Sequence, residues 1–309
     1  MHPAFSVLFL TTLIGAAQGL MLALVGLEAW ATLRSVAVPT GLLVAGSAVA
    51  VVLSVLGLLA SFFHLGHPER AWRAIAGWRT SWLSREVIVL PAFIGMASLY
   101  GLVHYTGHAA TLWLGAVTAA LALALFLCTG MIYAAVRVIR EWATPWTVTN
   151  FALMGLASGL SLAAALAAML APQHAAALVV GALIATLLAA ATRSAALWRN
   201  ARLKPASTLQ SAIGVRHPKI VQKSQGAMGG SFNTREFLHG KPQSAVQRIF
   251  WAAVLGGFVL PVLMLAGGAS STAALLTVVA VQYLGLLAER WIFFAQANHP
   301  QNLYYQSVA

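Results

Sequence analysis

Acidic residues are almost missing from this chain. Its 309 residues hold six carboxylates, all of them glutamate, against 18 Lys and Arg, for a formal net charge of +12. Charge of either sign is scarce, at 8% of residues, where a soluble domain carries roughly 25%. So few charges cannot cover a soluble surface, and lipid must be the solvent for most of the chain. Cysteine is rarer still, with Cys128 alone, inside an apolar run. It excludes an internal disulfide, and the lack of any CxxC removes the thiols that an iron–sulfur cluster or structural zinc needs. Any redox centre must therefore be a bound small molecule or belong to a partner. The opening Met1-His2-Pro3-Ala4 has no Lys or Arg. The apolar run after it extends to about residue 27, longer than a signal-peptide core, and reads as a retained first helix.

What is present is hydrocarbon. Apolar residues make up 60% of the chain, and eight stretches approach the ~20 apolar residues that a spanning helix needs. They cover approximately residues 4–27, 39–63, 86–105, 109–137, 149–170, 175–198, 245–266 and 271–295. Transmembrane strands would alternate over about ten residues, and these runs are longer and apolar on all sides. The expected fold is an all-α integral membrane protein, a single transmembrane domain over 1–309 built as a bundle of about eight helices. Gly15-xxx-Gly19 and Gly155-xxx-Gly159 fit close helix contacts. A long basic segment, 199–244, joins the sixth and seventh spans, with a flexible core at Gly226–Gly230 and apolar anchors at Phe232, Phe237 and Leu238. It reads either as a disordered tether or as a surface that docks onto a partner, and the apolar anchors favour docking.

With eight spans, 17 of the 18 Lys and Arg fall on the side of the termini, and only Arg34 lies opposite. The positive-inside rule assigns that side to the cytoplasm. A charge excess of this kind attracts anionic lipid or an acidic partner; nucleic acid is not implied. Trp72, Trp78, Trp82, Trp142, Trp146, Trp198, Trp251 and Trp291 share the positive side, against Trp30 and Trp113. Interfacial belts normally use both faces, so the bias points to an enlarged positive surface where a partner sits, or else to ordinary anchors on longer loops.

The densest polar constellation runs from Phe63-His64-Leu65-Gly66-His67-Pro68-Glu69-Arg70 to Trp82-Leu83-Ser84-Arg85-Glu86. The first part ends helix two and the second begins helix three, so His64 and Glu86 come to one depth. An imidazole beside a carboxylate at the hydrocarbon rim suits a quinone, whose carbonyls need hydrogen-bond donors and whose reduction needs protons. The spacing also admits a plainer reading, in which His64 ends one helix and Glu86 caps the next. His104, His108 and His174 fall near the opposite surface and form no mid-span pair, so no haem b is expected.

Those same stretches carry a resemblance. The run Phe63–Ala71 with Ser84-Arg85-Glu86, the stretch Met228–Phe237 and the ending Glu289-Arg290-Trp291-Ile292-Phe293-Phe294-Ala295 resemble the dimethyl sulfoxide reductase anchor subunit family over nearly the whole chain. The resemblance implies a haem-free anchor with no chemistry of its own beyond quinone (ubiquinone or menaquinone). It further implies two partners, an iron–sulfur subunit and a molybdopterin catalytic subunit, with the metal centres in those chains. It ties His64 and Glu86 to quinone binding. Arg70 and Arg85 could stabilise a reduced, anionic quinone, and Gln18 and Tyr133 could line the pocket from helices one and four. The positive side, taken as cytoplasmic, together with the opening His2-Pro3-Ala4-Phe5-Ser6-Val7, favours the branch that oxidises sulfite and reduces quinone, in a bacterial inner membrane with both termini cytoplasmic. A sulfoxide reductase anchor that oxidises quinol is the alternative within the family. A transporter, or a scaffold that only tethers soluble subunits, is the alternative outside it.

Overall fold

A computed structural model describes residues 2–63, 65–108, 111–204, 207–221 and 240–300. Eight helices among them are long and apolar enough to cross a bilayer. They are α1 (Phe5–Leu33), α2 (Thr40–Phe62), α3 (Trp82–Thr106), α4 (Thr111–Ala134), α5 (Pro145–Leu170), α6 (Pro172–Asn200), α8 (Gln243–Ala266) and α9 (Thr272–Ala295). A short helix α7 (Leu209–Ile213) lies in the connection between α6 and α8. At 1.5 Å per residue, a helix of 23 to 29 residues is about 35–44 Å long, which exceeds the ~30 Å hydrocarbon core. No strand occurs among the described residues.

The helix ends follow from local chemistry. Ser81 caps α3 by accepting a hydrogen bond from Ser84 N, and Ser271 caps α9 in the same way from Ala274 N. Proline opens α5 and α6, where its missing N–H costs nothing. The apolar sequence around 170 could have run on as one helix. Instead Ala171 leaves helical geometry at φ −154° and Pro172 starts α6. Pro172 disfavours a continuous helix here, because its ring would crowd the carbonyl four residues back and it has no N–H to donate.

Two boundaries differ from expectation in ways that matter. Helix α1 continues past 27 to Leu33, which takes Glu28 inside the bundle. Helix α3 begins at Trp82 rather than 86, so Ser81 is its cap and Glu86 stands one turn inside, buried. The plainer reading of Glu86 as a helix cap is thereby overturned.

Helix α1 is the most buried span and packs on α2, α4, α5 and α9. The two expected glycine pairs make this possible. A Cβ at Gly19 would collide with the backbone of Gly155 and Leu156, and one at Gly159 with the backbone of Gly19 and Leu20. Small residues let helices approach this closely where no hydrophobic effect drives them together. Helix α8 carries a π-turn at Leu255–Val259, and Gly257 lies there directly against Gly285 of α9.

The expected interface segment 199–244 divides. Helix α6 covers its start to Asn200, α7 lies within it, and α8 begins at Gln243. Residues 222–239, which include Gly226–Gly230, Phe232, Phe237 and Leu238, lie outside the described residues. Two residues counted as positive-side charges, Arg193 and Arg290, prove to be buried in the bundle. The Trp set also divides. Trp72, Trp78, Trp198 and Trp251 are broadly exposed, whereas Trp142 and Trp291 are buried in an aromatic cluster with Phe151, Phe293 and Phe294.

Candidate functional site

Glu86 is the polar centre of the positive half of the bundle. Its carboxylate accepts a hydrogen bond from Thr129 Oγ1 of α4. It faces a narrow cleft of about 260 Å³ walled by Leu10, Thr11, Ile14, Gly15 and Gln18 of α1, Phe126 and Thr129 of α4, and Phe151 of α5. The enclosed part has room for about one water. Gln18, 2% exposed, shares this cleft and donates from Nε2 to Ala122 O at 3.2 Å. The structure therefore brings Glu86 and Gln18 together across three helices.

Tyr133 is one ring away. It stacks on Phe151 with centroids 5.4 Å apart, and meets Trp142, Phe293 and Phe294 edge-on. Phe151 thus joins the Glu86 cleft to the aromatic cluster. His64 lies outside the described residues. Arg70 is exposed beside Glu69, at 3.6 Å. Arg85 is turned toward its own loop, donating to Trp78 O at 3.0 Å and Arg79 O at 2.9 Å while lying over the Trp82 ring. Neither arginine lines the cleft.

A second polar cluster at this depth was not foreseen. Arg193 Nε of α6 pairs with Glu289 Oε1 of α9 at 2.9 Å, and Arg290 lies 3.7 Å from the other carboxylate oxygen. The Arg290 guanidinium covers Phe151 at 3.6 Å. It opens on a narrow cleft with room for about one water, whose walls include Thr11, Thr12, Gly15, Phe151 and Ser158. A signal was available, since all three charges lie inside apolar runs, and ionisable residues within spans are usually functional. Counting Arg193 and Arg290 as end charges hid it. Glu86, Thr11, Thr129, Phe151, Arg290 and Arg193 each sit four to seven residues in from the positive end of their helix. At 1.5 Å per residue they form one polar layer roughly 6–10 Å below that end.

A third cluster lies toward the other side. Tyr100 OH donates to Glu28 Oε2 at 2.5 Å, and His104 Nε2 is 3.3 Å from Glu28 Oε1. His174, buried on α6, has Nε2 3.1 Å from Ala37 O. These groups tie α3 to α1, and α6 to the loop after α1, where the sequence suggested only surface histidines. A larger groove of about 700 Å³ runs between α1, α8 and α9. Its walls are apolar apart from Lys241, with Phe5, Phe9, Ile249 and Trp291 among them. It holds no carboxylate or imidazole and so lacks the acid–base groups that the Glu86 layer has.

Comparison with known proteins agrees over the full length. The profile of the family described as DMSO reductase anchor subunit (DmsC) matches residues 1–294. The chain is 52% identical over 325 aligned residues to one of the subunits of the sulfite dehydrogenase of Allochromatium vinosum, with 100% of each chain covered.

Proposed function

Because the chain belongs to the DMSO reductase anchor subunit family, we propose that it is the membrane anchor and quinone-reactive subunit of an oxidoreductase complex, passing electrons from sulfite oxidation to the quinone pool. The observation that carries this reading is the full-length identity of 52% to a sulfite dehydrogenase subunit. Its partners are an iron–sulfur subunit and a molybdopterin catalytic subunit, docked on the positive face. That face is cytoplasmic, as are both termini, in a bacterial inner membrane. The exposed Trp72, Trp78 and Trp198, each with an arginine over its ring, suit such an interface, since Trp and Arg are enriched where proteins meet.

The residues present fit a quinone's needs. A quinone accepts hydrogen bonds at its carbonyls and takes up protons as it is reduced. Glu86 supplies a buried carboxylate, with Thr129 fixing its orientation. The enclosed space beside Glu86 suits a proton-carrying water rather than the ring. The ring belongs at the cytoplasmic ends of helices α2 and α3, with its tail in lipid. There His64 would donate to one carbonyl, and Glu86 would exchange protons through the cleft that Gln18 closes from below.

The test uses the complete complex in membranes. His64→Phe and Glu86→Gln are each expected to lower sulfite-to-quinone turnover by on the order of 100-fold, the scale of lost acid–base catalysis. Sulfite oxidation by an artificial acceptor persists, because the partner's chemistry is untouched. Normal quinone-linked turnover in both variants would place the site elsewhere. Mass spectrometry of the co-purified subunits tests the partners. A catalytic subunit that carries an export signal would favour the sulfoxide-reducing alternative.

A further inference from the structure

On one side of the polar layer, two buried guanidiniums share a single carboxylate. Arg193, Glu289 and Arg290 hold two cations against one carboxylate, with side chains only 8%, 3% and 5% exposed. Arg193 is committed to Glu289 at 2.9 Å, whereas Arg290 stands off at 3.7 Å. A guanidinium has five donors. Among the described residues, Arg290 donates from Nη2 to Met154 Sδ at 3.6 Å, and sulfur is a weak acceptor. The guanidinium lies over Phe151 and lines the cleft shared with Thr11, Thr12 and Ser158. That cleft and the one beside Glu86 have Thr11, Gly15 and Phe151 as common walls. A cation so loosely paired is costly at this depth, and ionisable residues within spans are usually functional.

We infer that Arg290 is the charge-compensating residue of the quinone site, offsetting negative charge that arrives with electrons before protons follow. The inference rests on the quinone reading above. Reducing a quinone to a quinol takes two electrons, here from the redox centre of the partner complex, and two protons. Between an electron and its proton, a ring oxygen bears negative charge. The layer offers one surplus cation and two groups able to neutralise it, the Glu86 carboxylate and that oxygen. Coulomb interactions grow as the local dielectric falls, so the two compete. Arg70 and Arg85 do not fill this role, because both are exposed and occupied elsewhere, and water and salt screen them.

The experiment measures binding to the intact complex of two probes, a hydroxynaphthoquinone that is anionic at neutral pH and its neutral methoxy analogue. The wild type binds the anion more tightly. Arg290→Gln lowers that preference by on the order of tenfold, the scale of one through-space charge interaction in a partly dry interior, and leaves the affinity for the neutral analogue unchanged. Arg290→Lys, which keeps the charge beside Glu289, retains most of the preference. Glu86→Gln removes the competing carboxylate and raises the preference, although it slows turnover. Equal weakening of both probes in Arg290→Gln would mark a structural role and overturn the inference. So would a wild type without preference for the anion, a result that needs no variant to fold. A wild type that binds neither probe overturns the quinone reading itself, and this inference with it.

Discussion

At the scale of single residues, the decisive facts are burials. Glu86 is buried and bonded to Thr129, where sequence spacing alone allowed a surface cap. Thr129 is therefore expected to matter through Glu86. Thr129→Val should lower quinone-linked turnover roughly 10- to 100-fold, the usual loss when a residue supporting a functional group is removed, while Thr129→Ser restores it. Equal turnover in the Val and Ser variants would rule the hydroxyl out. The pair of Arg193 and Glu289 gives a stability prediction. Arg193→Ala leaves Glu289 with Arg290 alone at 3.7 Å. Breaking one side of a buried pair costs about 3–5 kcal/mol, which a denaturant titration of the detergent-solubilised chain would register. A change below about 1 kcal/mol, the range of an exposed pair, would show the site to be open to water. The depth of Glu86 was legible because helix ends joined by a loop share a depth, whereas nothing in the sequence placed Gln18 of α1 beside it. Arg290 was not legible, since nothing in one dimension says which face of α9 turns inward.

At the scale of elements, the crossing of α1 and α5 controls the site. Gly15 and Gly155 place Thr11 and Phe151 close enough to wall both clefts. Gly159→Leu should push the two helices apart and cost at least the ~1–3 kcal/mol typical of overpacking, with loss of folded protein in size-exclusion profiles. Gly26→Ala is the control, because a Cβ there meets nothing within 4 Å. Comparable damage from both substitutions would mean that helix content, rather than the crossing, had been disturbed. The glycine spacing was readable in the sequence as a close contact, but its partner was not, since two small-residue faces look alike before they are docked. The division of α5 from α6 was readable at Pro172, whose ring and missing N–H interrupt a helix, although Pro91 inside α3 shows that proline alone does not end a span.

At the scale of the whole molecule, the charge asymmetry governs placement. A reporter that works only in the cytoplasm, fused after Ala309, is expected to be active, whereas one inserted beside Arg34 is not. The opposite pattern would invert the orientation and remove the reason to prefer sulfite over sulfoxide. Crosslinkers placed at Trp72 or Trp198 should capture the partner subunits, and crosslinkers at Trp113 should not. Composition and run length by themselves determined that this chain is a membrane bundle of eight spans and which side is positive. Those properties depend on how many apolar residues occur in a row and where the charges interrupt them, and both are linear quantities. Only the tertiary structure decided that Glu86 meets Thr129, that Arg290 lies over Phe151 and that Glu28 pairs with Tyr100. Each of these joins helices far apart in the chain. The rotation of a helix about its own axis is set by packing against neighbours, and spans that are apolar on every face do not disclose it.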